Sequence, residues 1–287
     1  MDVKVRDVMT PGPIGVDYNS SIGEAARTMH DWGVGAVLVV HDQALYGLVT
    51  DRDLVVRAVA ESKGPDEPVG PLSSADLIGV NADQDAAEAI RLMRENAVRR
   101  LPVVDGGQVA GMVSLGDLAM PATRRPRSPR PASRAPAPDR AEDRSRSTMT
   151  RTMRDIMSAA PECMAATESV SAAARAMRER GIGTVLVMED GRLHGLLTDR
   201  DITVRVLAED RDPLATRLGD ICSTDLVVLG PDDDVAQATR LVRERAVRRI
   251  PIVANGTPVG VVSIGDLALE ADGSFALSRS SAPLPSI

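Results

Sequence analysis

The chain has 287 residues, 43% of them hydrophobic but only 1% aromatic, and its 34 basic and 41 acidic residues leave a net charge of −7. Its core must therefore be built from Val, Leu, Ile, Ala and Met, which excludes base-stacking platforms and aromatic-lined sugar or quaternary-ammonium sites. Cys163 and Cys222 stand far apart without ligand spacing, the opening MDVKVRDVM has no signal-peptide core, and no apolar run reaches the roughly 18 residues of a membrane span. A cytoplasmic protein with no structural zinc is expected.

In chain order, residues 14–16 read as a short β run, followed by Ser21-x-x-Glu24 at capping-box spacing. The helix that it opens carries the apolar stripe Ile22/Ala25/Ala26/Met29. Gly33-x-Gly35 ends that helix and reads as a C-cap turn, not a nucleotide loop. An apolar strand over 36–40 and a second over 45–49 follow, then a helix over 51–61. The same order returns from 77–80, with Asp85-x-x-Glu88, the turn Asp105-Gly106-Gly107 and a strand over 109–113. Later come Ser169 (half a box, with Ala172 in the Glu position), Val170/Ala173/Ala174/Met177, Gly181-x-Gly183, a strand over 185–188, the turn Glu189-Asp190-Gly191 and Asp234-x-x-Gln237.

This recurrence is a repeat of a repeat. A shift of 148 places aligns 6–61 with 154–209 at 26 identities in 56 positions, and a shift of 149 aligns 97–119 with 246–268 at 14 in 23. Within each half a weaker repeat of about 60 residues appears, so four units of order β-α-β-β-α are expected, an α/β arrangement with helices packed on small sheets. One such unit is marginal alone, and pairing two per half supplies a core. The expected layout is a first half over 1–120 (units about 1–61 and 70–120), a linker over 121–148, a second half over 149–270 (units about 149–210 and 218–270) and a loose tail over 271–287. The linker holds 8 Arg, 6 Pro and 3 acids, without apolar periodicity, and reads as disordered. As flexible chain it spans roughly 30 Å, enough for the halves to pack together or act apart.

Thr50-x-x-Asp53, Ser114-x-x-Asp117, Thr198-x-x-Asp201 and Ser263-x-x-Asp266 each follow Gly-apolar-apolar at a strand-to-helix junction. Such a junction has unpaired N–H groups and a positive dipole end that favour an anion, a hydroxyl can bond a phosphate oxygen, and an Asp can accept from the two hydroxyls of a ribose. The same spacing is also an ordinary capping box. Four copies, always Thr or Ser first and always Asp fourth, favour a ligand role. Arg99-Arg100 and Arg248-Arg249 open a strand in the even units and suit either a phosphate chain or an ion pair with nearby acids. Gly35-Ala36 and Gly183-Thr184 stand there in the odd units, so the sites of one half are not equivalent.

GLVTDRD, GMVSLGD, GLLTDRD and GVVSIGD, with VRRLPVV and VRRIPIV, resemble the Gly-h-h-Thr/Ser-x-x-Asp signature of cystathionine-β-synthase (CBS) domains across nearly everything except linker and tail. The resemblance implies four CBS domains paired into two Bateman modules, each half being similar to small stand-alone bacterial two-domain proteins. It further implies clefts that bind AMP, ADP, ATP, S-adenosylmethionine or NAD, with ribose on Asp53, Asp117, Asp201 and Asp266 and phosphate on Thr50, Ser114, Thr198 and Ser263. Adenine would lie against the first strand of each unit, near Ile14, Ile78, Cys163 and Val227.

His30, His41 and His194 are isolated, no catalytic or metal cluster can be assembled, and Asp51-Arg52-Asp53 and Asp199-Arg200-Asp201 read as cap turns and not as paired catalytic carboxylates. The expected function is a non-enzymatic sensor without a catalytic cofactor. It would bind an adenine nucleotide as regulatory ligand and signal to an effector protein by changing shape, its modules packing as an intramolecular pseudo-dimer or a homodimer. The alternative is an interaction scaffold with degenerate sites. Nucleic-acid binding through the basic linker is opposed by the acidic modules.

Overall fold

In the computed structural model the described residues are 3–42, 44–96, 98–119, 151–245 and 247–271. The expected linker and, but for Ala271, the expected tail lie outside them.

Each unit is organised around one hairpin: Ala36–His41 with Ala44–Thr50, Arg100–Asp105 with Gln108–Ser114, Thr184–Glu189 with Arg192–Thr198, and Arg249–Ala254 with Thr257–Ser263. Runs such as Val37-Leu38-Val39 favour extended backbone because β-branched side chains pack well on a pleated surface. The turns need left-handed residues, and Gly106-Gly107, Asp190-Gly191 and Asn255-Gly256 all have positive φ. Every hairpin carries a bulge one residue before the motif glycine. The register steps from Val39↔Gly47 to Val40↔Leu45, and likewise in the other three, so Tyr46, Ala110, His194 and Val259 have no opposite residue. In the first unit Tyr46 joins Tyr18 and His41 in a ring cluster, with Tyr18 centred 4.8 Å from each.

A short parallel strand lines each of three hairpins, at Gly15–Asp17, Val80–Asn81 and Cys163–Ala165, while Leu229 makes a single bridge to Ile252. The amphipathic helices Ile22–Asp31, Ala86–Glu95, Val170–Glu179 and Val235–Arg245 follow. The order is thus β-α-β-β-α as expected, with the first strand of the fourth unit reduced to that bridge. Capping differs in detail. Ser21 accepts from the Glu24 amide and Ser169 from that of Ala172, but Asp234 accepts from Ala236, one position early. Asp85 makes no capping bond because its carboxylate takes Lys4 Nζ at 2.7 Å. The helix expected over 51–61 stays α-helical only through Asp51–Arg57. It breaks at Ala58 (φ −116, ψ −66) and ends in the 3₁₀ turn Val59–Glu61.

Consecutive units exchange their opening segments. The helix Val5–Val8 buries Val5 and Val8 in the second unit's core, and Thr10–Pro11 pairs with Gly111 and Met112. Ser74, which leads into the second unit, bridges back to Leu48 of the first. The second half repeats this: Met153–Ile156 and Ser158–Ala159 join the fourth unit, and Ser223 bridges to Leu196 of the third.

The cores do not follow the halves. Units two and four each have a small core of their own, whereas units one and three share one. In the shared core Ile22, Met29 and Leu54 lie with Met177, Leu197, Ile202 and Leu218, all buried. Each such side chain contributes about 1.5–3 kcal/mol on removal from water. Helix Ile22–Asp31 contacts the π-turn Thr203–Leu207, Val170–Glu179 contacts Val59–Glu61, and Asp51–Arg57 contacts Asp199–Ile202. At the even units, Leu115–Ala119 contacts Ile264–Ala271. The halves are therefore packed on each other as an internal pseudo-dimer.

Candidate functional site at the junction of the four units

The four motifs form one structure repeated. In the first unit the Thr50 amide and hydroxyl both donate to Asp53 Oδ2, at 2.9 and 2.6 Å, and the Asp53 amide donates back to Thr50 Oγ1 at 3.3 Å. Ser114/Asp117, Thr198/Asp201 and Ser263/Asp266 make the same three bonds. Each motif is thus a closed capping box at the positive end of a helix. In the odd units a further cation approaches the second carboxylate oxygen: Arg57 Nε stands 3.5 Å from Asp53 Oδ1, and Arg205 Nη2 stands 3.3 Å from Asp201 Oδ1. The even units have Pro121 and Glu270 at the corresponding sequence positions, neither of which supplies that cation.

The glycine of each motif has a packing role. A Cβ on Gly47 would stand 2.7 Å from the Ser74 carbonyl oxygen, and one on Gly111 would collide with that of Thr10. On Gly195 it would strike Cys222, and on Gly260 it would lie 2.5 Å from Met157 Sδ. The exchanged segments cross here, so only glycine lets them approach.

Of the double arginines, Arg99 and Arg248 are exposed, and their carbonyls accept from the amides of Leu115 and Ile264. Arg100 and Arg249 are half-buried and stand opposite Ser114 and Ser263 in the hairpins. Both reach to an odd unit. Arg100 Nη2 and Asp51 Oδ2 each lie within 2.6 Å of where a Gly35 Cβ would stand, and Arg249 Nη2 is 4.0 Å from Asp199 Oδ1. Gly33 and Gly181 are the left-handed helix ends expected (φ 63 and 66), while Gly35 and Gly183 leave room for these guanidinium groups.

Asp51, Arg52, Asp199 and Arg200 form the cap turns expected, and these turns also lie where the units meet. Arg200 crosses from one half to the other, donating to the Met29 carbonyl at 3.0 Å, to that of Val34, and to Asp51 Oδ1 at 3.2 Å. Asp51 is 5% exposed, and burial pushes its carboxyl above the ordinary value of 3.8 against the pull of Arg200 and Arg100. Thr203, which replaces Val55 of the first half, donates its hydroxyl to the Asp199 carbonyl at 3.0 Å and approaches that of Asp51 at 3.4 Å. The pseudo-symmetric Arg52 is half-buried, and burial pushes its guanidinium below its ordinary value. A doubled Asp-Arg-Asp was the available signal, but its partners lie about 150 residues away.

Ile14 and Ile78 are partly buried one and two residues before the first strands of their units, Val227 is partly buried two residues before the Leu229 bridge, and Cys163, which opens its strand, is exposed. The strand register sets Cys163 beside Leu186 as Gly15 is set beside Leu38. The position equivalent to Ile14 is therefore Glu162, whose carbonyl accepts from Leu186 as that of Ile14 does from Leu38. Glu162 pairs with Arg180 at 2.6 Å, so the third unit carries an ion pair where the first has Ile14 and Trp32. Among the described residues no helix is long and apolar enough to cross a membrane.

The CBS domain family model matches residues 5–59, 69–120, 153–208 and 218–272. The CBS domain-containing protein YhcV of Bacillus subtilis is 39% identical over 116 residues, 40% of this chain and 83% of that one. Hypoxic response protein 1 of Mycobacterium tuberculosis is 36% identical over 118 residues, 41% and 82% of the two chains. In solved structures, protein MJ1225 of Methanocaldococcus jannaschii superposes with a TM-score of 0.67 at 16% identity, over 94% of this chain and 100% of its own, a likeness of fold alone.

Proposed function

The chain belongs to the CBS domain family, and from that membership we propose that it is a non-catalytic sensor of adenosine-containing ligands, AMP, ADP or ATP, with NAD and S-adenosylmethionine as further members of the class. The observation that carries the reading is the fourfold motif, a hydroxyl and a carboxylate at the start of a helix, with arginines from neighbouring units directed towards the same junction. Asp53, Asp117, Asp201 and Asp266 are assigned to ribose, and Thr50, Ser114, Thr198 and Ser263, with Arg99, Arg100, Arg248 and Arg249, to phosphate. Ile14, Ile78, Cys163 and Val227 mark the strands assigned to the base, held there by backbone and aliphatic groups. The signal to an effector protein is a change in how the halves pack, which requires the ligand to favour one packing over another. Millimolar ligand should raise the melting temperature in proportion to the logarithm of concentration over affinity, and no shift with any of the five ligands would end the proposal.

One observation favours the scaffold reading: in all four motifs the hydroxyl and one carboxylate oxygen are already bonded to each other. Asp53→Ala with Asp201→Ala separates the two. A sensor loses the dependence of its partner binding on nucleotide, and a scaffold keeps its partner binding with no such dependence to lose.

A further inference from the structure

In the odd units the motif carboxylate is tied to the segment that leads into the next unit. Asp53 Oδ2 and Asp201 Oδ2 are taken by their own capping boxes, which leaves Oδ1 of each. Arg57 Nε stands 3.5 Å from Asp53 Oδ1, while its Nη1 donates to the Leu72 carbonyl at 3.0 Å. Arg205 Nη2 stands 3.3 Å from Asp201 Oδ1 and donates to Ser223 Oγ at 3.2 Å, and its Nη1 donates to the Ile221 carbonyl at 2.5 Å. Leu72 and Ile221 occupy equivalent places, two residues before the serines that bridge back to Leu48 and Leu196 on the motif strands. Their side chains are buried in the core that units one and three share. The even units have Pro121 and Glu270 in place of the arginine, and neither runs directly into a further unit.

We infer that Arg57 and Arg205 are latches that couple ligand at the odd units to the connecting segments. A ribose on Asp53 or Asp201 takes Oδ1 from the arginine, and the grip on Leu72, or on Ile221 and Ser223, loosens with it. The Asp53 and Asp201 side chains are only 16% and 13% exposed, so a ribose hydroxyl and the guanidinium compete for one oxygen. Without the carboxylate the guanidinium loses its charged partner, the contact that fixes its plane against the segment. Linkage is reciprocal: a held segment weakens ligand binding by the factor by which ligand loosens the segment. Because Leu72 and Ile221 lie in the shared core, release reaches the contact between the halves. The even sites lack the arginine and bind without this consequence. The inference rests on the nucleotide reading and names how binding at that site becomes a change of shape.

The second half carries its own reporter. Cys222 lies between Ile221 and Ser223, is 9% exposed and packs against Gly195. The test follows this slow thiol in the full-length chain with an aromatic disulfide reagent, in separate runs with millimolar AMP, ADP, ATP, NAD and S-adenosylmethionine. A ligand that raises the melting temperature should at the same time speed Cys222 by at least about fivefold, since losing a charge-assisted contact shifts the local opening that exposes a buried thiol. The 2′,3′-dideoxy analogue of that ligand, which lacks both ribose hydroxyls, should leave Cys222 slow. Arg205→Lys keeps the charge, but one ammonium does not span Asp201, Ile221 and Ser223. Its Cys222 should react faster before any ligand is added and gain nothing further from it. Ser73→Cys places the same reporter in the first half, with Arg57→Lys as its counterpart; Ser73 bonds the Gly70 carbonyl as Cys222 bonds that of Gly219. The inference is overturned, and the nucleotide reading stands, if a ligand raises the melting temperature while Cys222 stays slow or slows further. The same holds if the dideoxy analogue speeds Cys222 equally, or if Arg205→Lys keeps the full response. If none of the five ligands raises the melting temperature, the nucleotide reading falls and the coupling falls with it.

Discussion

Replacing Arg200 by Met keeps the aliphatic stem and removes the guanidinium that joins the halves. Three contacts go with it: the Met29 carbonyl at 3.0 Å, the Val34 carbonyl, and Asp51 Oδ1 at 3.2 Å. Hydrogen bonds involving a charged group contribute about 1.5–3 kcal/mol each, and breaking a fully buried ion pair costs about 3–5 kcal/mol. Asp51 is 7% exposed at its side chain but Arg200 is 31% exposed, so water recovers part of the loss. The expected destabilisation is about 2–4 kcal/mol, or roughly 5–15 °C in melting temperature for a chain of this size. Calorimetry would measure it, with Asp51→Asn closing a double-mutant cycle. In the Asp51→Asn background the Arg200→Met cost should shrink by about 1 kcal/mol or more, since the buried charge that it abandons is gone. Arg52→Met serves as the comparison and should change stability by less than about 0.5 kcal/mol. Equal effects of Arg200→Met and Arg52→Met, or strict additivity in the cycle, would refute the assignment of the cross-half contact to Arg200.

Three other outcomes are expected. The raised carboxyl of Asp51 means that the folded chain binds this proton more readily than the unfolded one, so its contribution to stability falls as pH rises from about 3.8 through the folded value; the melting temperature of wild type minus that of Asp51→Asn should decline over that window, and a difference that grows would contradict it. Gly111→Ala drives a Cβ into the Thr10 carbonyl, a backbone atom, and should cost about 1–3 kcal/mol, whereas Gly260→Ala meets the movable Met157 Sδ and should cost less in a parallel melt. Cys163 is exposed and Cys222 is buried, so native protein should react quickly with one equivalent of an aromatic disulfide reagent and yield the second only on unfolding; two fast thiols would argue against the packing of Cys222 on Gly195.

Much of the fold is legible in the residues because it is local. The hairpins, their left-handed turns, the helix stripes and the ends at Gly33 and Gly181 all follow from periods of two and 3.6 and from the φ that glycine permits. The closure of Thr50 with Asp53 is likewise local. What could not be read is whatever depends on partners far along the chain. Nothing near Asp85 says that Lys4 will take its carboxylate, and nothing near Val5 says that it will be buried in the second unit. The inequivalence of Arg52 and Arg200 is hidden for the same reason, since two identical Asp-Arg-Asp triplets end in different surroundings. Thr203 in place of Val55 is the one difference in polarity between 51–57 and 199–205, and its hydroxyl acquires meaning only when both halves are in place. The first-strand position of the third unit shifted by one residue, from Cys163 to Glu162, because a three-residue strand has too little pattern to set its own register.

The core shared by units one and three also bears on how the chain is made. Ribosomes add about 5–20 residues per second, so the helix Val170–Glu179 emerges roughly 7–30 s after Ile22–Asp31, whose unit it helps to bury. During that interval the nascent first half presents an apolar face made of Ile22, Met29 and Leu54 without its final cover. The same face on a neighbouring nascent chain is the nearest substitute in shape, since the two halves are alike. Translation therefore sets a competition between pairing within a chain and pairing between chains on one messenger, and the spacing of the halves along the sequence sets how long that competition lasts.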